Sequence, residues 1–389
     1  MSEPWPRIGI GRTIWLPNHD APMSRRRRQR NQGEFEYAIA PRIAELEVRL
    51  EPRVEAAARA AMSLIERFDT QAEAWGPPFA SVLLRSESAS SSQIERLSAS
   101  ARRVALATLG DQRNRNATSI ARNVRAMQAA IALSDEMDSK AVLAMHRALG
   151  GGDDPANAGC FREEWVWVGG ESPVTAAFVP PRHEDVPEAV EDVMRFLRRT
   201  DLEPLTQAAI GHAQFETIHP FTDGNGRTGR ALVSSVLRHR RVATNMTVPI
   251  SSGLLTDTAA YFDALTSYRN GDPGPIIEQL AEAAEQAIAN AATLRTDVEA
   301  VREAVLATAQ RRTRNLTIMA GLCAVEPAFD IEMVVEAGIA RPSAYRLCQR
   351  LTDAGLLRRE PAIRGVDAWT VVGLTEALDD FAVRSGRRG

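Results

Sequence analysis

The chain has 389 residues, of which 44% are hydrophobic and 25% charged, and its formal net charge is -3. That balance suits a soluble globular protein of two or three domains and argues against one that coats nucleic acid through bulk charge. Cys160, Cys323 and Cys348 are widely spaced with no C-x-x-C pair, which fits a reducing compartment better than a disulfide scaffold and offers no zinc site.

The opening "MSEPWPRIGIGRT" lacks the apolar core of a signal peptide. No apolar run approaches the roughly 18 residues of a membrane span. A cytoplasmic location with no membrane partner is the expectation, although export by a specialised machine would leave no such mark. Lys140 is the one lysine, so each arginine carries little meaning by itself.

Residues 1–32 mix Pro, Gly and Arg and read as a flexible basic arm. Its "SRRRRQR" run is either a solvated charge cluster or a contact for nucleic acid or an acidic surface. Residues 33–133 read as a helical regulatory region, with apolar spacings of three and four in "IAELEVRLEPRVEAAARAAMSLIERF" and "ATSIARNVRAMQAAIAL". Between these runs lies the serine-rich "LLRSESASSSQIERLSA".

Residues 134–290 form the expected core. "SKAVLAMHRAL" is a helix stopped by the glycines of "GGGDD". "EEWVWVGG" and "TAAFVPP" read as two extended segments around a Gly-rich turn. "VPEAVEDVMRFLRR" is an amphipathic helix with Pro187 near its start. "EPLTQAAIGHAQFETI" is a further helix that runs into "HPFTDGNGRTGR", and residues 227–240 are helical again. Residues 291–389 read as a linker helix and a small domain of helix, turn, helix and charged hairpin, the order of a winged helix. Arg341, Arg346, Arg350, Arg358, Arg359 and Arg364 fall on its second helix and hairpin, so DNA contact through 331–370 competes with packing against a protein or a second copy in a homodimer.

"HPFTDGNGRTGR" concentrates the chemistry. Gly224, Asn225 and Gly226 precede a helix, where glycines let successive N–H groups converge on an anion and the helix dipole adds positive potential. Arg227 and Arg230 share one helical face, and two guanidinium forks beside a nest suit a polyphosphate. Asp223 is placed to hold Mg²⁺ against phosphate or to act as an N-cap. His219, at the end of the preceding helix, is a candidate general base. His146, His183 and His212 have no comparable company and receive no role. The Walker pattern is absent, and a helix rather than a strand precedes the loop, which sets aside a Rossmann fingerprint.

The same stretch resembles the Fic-domain signature H-x-F-x-[DE]-G-N-G-R-x-x-R at every specified position. "HAQFETI", "VWVGG…FVPPRHEDVPEAVEDVMRFL" and "YFDALTSYRNGD" resemble its usual surroundings, over residues 35 to 285. The resemblance implies a mainly α fold, a helical bundle with a small β-hairpin flap, followed here by the winged helix. It implies transfer of AMP from ATP to a Ser, Thr or Tyr hydroxyl of a target protein. His219 would be the base and Asp223 the Mg²⁺ ligand, with Gly224, Asn225, Gly226, Arg227, Thr228, Gly229 and Arg230 on the phosphates. Tyr261 would lie near the nucleotide base, and the flap at 165–178 would align the target by strand addition. Gly226 argues against a kinase variant that carries lysine there; UMP transfer stays open.

Many relatives also carry an inhibitory motif, [ST]-x-x-x-E-[GN]. Ser91 and Glu95 fit its spacing, with Arg96 in place of Gly or Asn. The resemblance implies that Glu95 pairs with Arg230 and keeps the site idle. Alternatives are a nucleotide-sensing DNA-binding regulator, a de-AMPylating enzyme and a toxin of a toxin–antitoxin pair.

Overall fold

The computed structural model describes residues 5–16, 24–73, 75, 77–150 and 155–386. The chain begins with a hairpin, β1 (Gly9–Trp15) and β2 (Gly33–Ile39), with α1 (Arg25–Arg30) between its strands. Then come α2 (Pro52–Glu73), α3 (Pro77–Ile94), α4 (Ala101–Thr108), α5 (Arg115–Ala132) and α6 (Ser139–Leu149). The middle of the chain supplies α7 (Val186–Leu197), α8 (Pro204–Ile218), α9 (Asn225–His239), α10 (Ile250–Leu254) and α11 (Thr258–Arg269). It ends with α12 (Gly274–Ala307), α13 (Arg314–Cys323), β3 (Ala328–Asp330), α14 (Ile331–Glu336), α15 (Arg341–Asp353), β4 (Leu357–Ile363), β5 (Val366–Val371) and α16 (Val372–Arg384). The fold is thus mainly helical, with small antiparallel sheets.

The chain divides into two compact units, neither continuous in sequence. The first comprises Met1–Met62, Ala129–Arg241 and Ala259–Ala281. Its centre is α8, in which every residue from Leu205 to Ile218 is buried. A helix apolar on all sides belongs inside a core, and its polar members are bonded there. Gln207 donates to the carbonyls of Phe196 and Arg199, both at 2.9 Å, and Tyr268 donates to Gln214 at 2.9 Å. Glu203 caps the helix by accepting from the N–H groups of Leu205 at 3.0 Å and Thr206 at 2.7 Å.

The N-terminal arm departs from the sequence reading. Residues 9–15 and 33–39 pair in a regular antiparallel register, Gly9 opposite Ile39 and Trp15 opposite Gly33. The signal was in "GEFEYAI", whose period of two puts Phe35 and Tyr37 on one face. Both rings meet Trp165, at 5.1 and 5.2 Å between centroids, and Trp15 meets Trp167 at 5.8 Å. The basic run is a short helix whose Arg27 and Arg30 bind Glu171 at 3.1 and 3.2 Å. Buried Asn31 adds bonds to Glu171 and Ser172. The arm, expected to be flexible, is therefore anchored on this loop; its residues 1–4 and 17–23 lie outside the described residues.

The second unit comprises Ser63–Gln128, Val242–Thr258 and Glu282–Gly389. The serine-rich stretch is its buried helix α3. Ser86, Ser88, Ser90, Ser91 and Ser92 are all buried, because small side chains let neighbouring helices approach. Ser86, Ser88 and Ser92 return their hydroxyls to the carbonyls four residues back. Buried Glu87 accepts from the N–H of Ser251 at 2.8 Å and from its hydroxyl, at the start of α10. The C-terminal elements form a three-stranded sheet in the order β3-β5-β4 beside α13 to α16. Arg102 of α4 forks onto Glu360 of β4, whose side chain is 1% exposed and also accepts from Thr370 at 2.7 Å. Cys160, Cys323 and Cys348 are free thiols.

Candidate active site

The site lies in the first unit, where α8 ends and α9 begins. His219 is the C-cap of α8, in the left-handed conformation at φ 52° and ψ 62°. That twist turns the chain out of the helix, and Phe221, fully buried, pins the next step. Asn225 then closes the loop reciprocally: its side chain accepts from the N–H of Phe221 and donates to the carbonyl of Phe221, both at 2.8 Å. The Asn225 side chain therefore shapes the loop.

Gly224 caps α9 at φ 76°, and a Cβ there would come within 2.5 Å of Leu149 Cδ2. Only glycine fits both the twist and the space. Gly229 answers a different need, the close approach of α9 to α8. A Cβ at that position would lie 2.9 Å from Glu216 Oε1 and 3.0 Å from His212 Nδ1. Gly226 is partly exposed at the start of α9, and Thr228 is buried in its first turn. Arg227 and Arg230 are buried on the same helix. Arg227 Nη2 lies 3.3 Å from each Asp223 oxygen, and the Asp223 side chain is 41% exposed. The expected metal ligand and the expected phosphate ligand thus hold each other.

His219 stands in a positive field. Burial first, then Arg269 and Arg162, lowers its pKa to about 4 against the opposing pull of Asp223. Its Nδ1 is 3.9 Å from Glu216 Oε2. The imidazole is therefore neutral near pH 7 and able to accept a proton. Arg269, at the end of α11, sits with its guanidinium 3.8 Å from the centre of the Phe178 ring. The 165–178 segment is held by one bridge, Val168 opposite Phe178, rather than by a full hairpin ladder. Gly169 and Gly170 turn it at φ 72° and 71°.

Two histidines left without a role belong to the site's support. His146 accepts from the N–H of Gly159 at Nδ1, 2.9 Å, so its proton is on Nε2, which donates to the carbonyl of Asp223 at 3.0 Å. Its ring stacks on Phe221 at 3.7 Å and 7°. His212 stacks near Tyr261 and meets its hydroxyl at 2.7 Å. Tyr261, expected near a nucleotide base, is 1% exposed with its hydroxyl on His212, and it braces α8. No pattern in the sequence marked His146, Arg162 or Arg269; their contacts with the loop are long-range.

Ser91 and Glu95 are in the second unit, at the end of α3. The N–H of Leu97 bonds to the carbonyl of Ser92 at 3.0 Å, and that of Arg96 to Gln93 at 2.8 Å. This is a Schellman ending with Glu95 as C-cap. Arg96 has φ 63°, the left-handed conformation that glycine or asparagine adopts most cheaply. The substitution noted in the sequence thus falls at a backbone position, and the chain keeps the geometry with an arginine.

The site thus sets an imidazole that is neutral near pH 7 beside a glycine-capped helix start and two buried guanidinium groups. Residues 136–237 match the Fic/DOC family. The chain accordingly carries a segment that matches this family, over less than half of its length. It is similar to protein adenylyltransferase fic-1 of Caenorhabditis elegans, at 31% identity over 154 residues, which cover 40% of this chain and 28% of that protein. It is also similar to protein adenylyltransferase Fic of Drosophila willistoni, at 31% identity over 156 residues, 39% of this chain and 29% of the relative. The chain thus matches under a third of the length of these relatives. A crystal structure of a Fic family protein from Desulfovibrio desulfuricans G20 shares the fold, with a TM-score of 0.55, 21% identity, and coverage of 84% of this chain and 98% of that one. Among the described residues, no helix is long and apolar enough to cross a membrane.

Proposed function

We propose that this chain is a protein adenylyltransferase that moves AMP from ATP to a Ser, Thr or Tyr hydroxyl of a target protein, itself included. The carrying observation is the neutral His219 imidazole next to the Gly224–Arg230 helix start. In the reaction the target hydroxyl loses its proton to His219 Nε2 or Nδ1, and its oxygen bonds to the α-phosphorus. The bond from that phosphorus to the β-bridging oxygen breaks, pyrophosphate leaves, and His219 returns its proton to solvent. The N–H groups from Gly224 onward, with Arg227 and Arg230, would bind the phosphates and the departing charge. For this Arg227 would exchange Asp223 for phosphate.

Asp223 would hold Mg²⁺. Its half-exposed carboxylate fits an ion that keeps several waters and shares phosphate oxygens, although the described residues contain no cluster of three or more metal-ligating side chains. When bound, the ion would neutralise phosphate charge. The target would lie along the 165–178 segment, where a groove between β1, β2 and that segment is lined by Ile10, Arg12, Glu36, Val174 and Phe178. Autoinhibition by Glu95 acting on Arg230 belongs to the same reading. Its support is the Ser91–Glu95 spacing and the left-handed Arg96 that completes the motif's backbone. Incubation with labelled ATP and lysate tests the proposal. Glu95→Gly should raise labelling and His219→Ala should abolish it; labelling that survives His219→Ala refutes the assigned base.

A second reading, a winged-helix DNA contact, is favoured by exposed Arg346 and Arg350 on α15 and Arg358 on β4. Arg341 and Arg359 count less, since Glu332 and Asp367 hold them at 2.6 and 2.9 Å. A gel shift with genomic fragments separates the two readings.

A further inference from the structure

We propose that Arg162 is a positioning residue that ties the backbone of His219 to both ends of the 165–178 segment, setting the base and the proposed target-docking segment as one piece. The inference rests on His219 being the base. Arg162 is 3% exposed. Its Nε donates to the carbonyl of His219 at 2.9 Å, its Nη1 to that of Glu164 at 2.9 Å, and its Nη2 to that of Pro181. Nη2 also lies 3.4 Å from the carbonyl of Ile218, and the backbone N–H of Arg162 donates to that of Pro220 at 2.9 Å. One residue thus takes three consecutive carbonyls around the base, and one carbonyl on either side of the docking segment.

Every acceptor named is a backbone carbonyl. A planar fork with donors at fixed angles can reach such a set, whereas a lysine ammonium cannot. Burying a cation on neutral acceptors is costly, and burial lowers the Arg162 pKa to about 10. A side chain that only filled space would carry no charge. Here the charge has a use. Arg162 from the loop and Arg269 from α11 face His219, while Glu216 of α8 and Asp223 oppose them, and burial with the two cations prevails. The same guanidinium therefore fixes where the base stands and helps to keep it neutral.

The test compares the full chain with its Arg162→Lys, Arg162→Met and His219→Ala variants in self-modification with labelled ATP. For Arg162→Lys, kcat should fall about 10–100-fold, while KM for ATP changes by less than about threefold. The acid limb of its pH profile should stay put, since the charge remains. Arg162→Met should show a similar fall in kcat and an acid limb moved upward, toward the ordinary histidine value. Wild-type kcat in either folded variant overturns the proposal, as does a loss confined to KM. If Arg162→Met fails to fold, the lysine variant decides the positioning role and Arg162→Gln takes the place of Met for the effect on the His219 titration. The His219 titration followed by carbon-13 NMR needs no turnover. An unchanged titration in Arg162→Met overturns the claim on neutrality even if His219→Ala retains transfer, the outcome that sinks the base assignment instead.

Discussion

Gly224→Ala isolates the demand that the loop places on its backbone. The position has φ 76°, and a new Cβ would stand 2.5 Å from Leu149 Cδ2. The left-handed conformation costs a non-glycine residue about 1–2 kcal/mol. Leu149 is 1% exposed, so moving it aside is an overpacking cost of about 1–3 kcal/mol. The substitution should therefore destabilise the protein by about 2–5 kcal/mol, read from the midpoint of urea unfolding. The two costs can be separated. Leu149→Ala opens the space and relieves the clash but not the twist. The double variant should thus be more stable than the sum of the singles implies by at least about 1 kcal/mol. Calorimetry should show ATP affinity falling about tenfold or more, because a charge-assisted bond from the nest is worth about 1.5–3 kcal/mol. An unshifted midpoint together with wild-type ATP affinity would refute this account of the loop.

The remaining expectations follow from other buried contacts. His219 and His212 have pKa values lowered to about 4 and about 3, by burial first and then by nearby arginines. A lowered histidine contributes nothing above about pH 6.5, where both states are neutral. As pH falls below that, the unfolded chain takes up protons that the folded one refuses. Stability should then drop by about 1.4 kcal/mol per pH unit for each histidine, measurable as a falling unfolding midpoint. Transfer should meanwhile persist at pH 5.5; an acid limb at the ordinary histidine value would contradict the field described around His219. Arg102→Ala takes from the buried Glu360 carboxylate its charged partner and should cost about 1–3 kcal/mol, seen as early loss of the C-terminal sheet in hydrogen exchange. Arg96→Gly relieves a left-handed arginine and should raise stability by about 0.5–1 kcal/mol, seen as a higher thermal midpoint.

What could be read from the sequence, and what could not, divides by the range of the interaction. The loop from His219 to Arg230 is contiguous, so its glycines, its acid and its paired arginines announce one another. The helices of the core announce themselves through periodicity, and α8 through its lack of a polar face. Arg162 gives no local sign, because its acceptors are carbonyls 57 and 19 residues away and carbonyls have no sequence identity. His146 is hidden for the same reason: it reaches the carbonyl of Asp223 across 77 residues. Tyr261, chosen by resemblance, is buried against His212, a histidine that no pattern had singled out. Side-chain chemistry in the loop was therefore legible, while the scaffold that aims it was not. That scaffold is built from neutral carbonyls, and it is arginine and histidine, with several donors or a donor and an acceptor on one ring, that join the separate strands of chain into a single site.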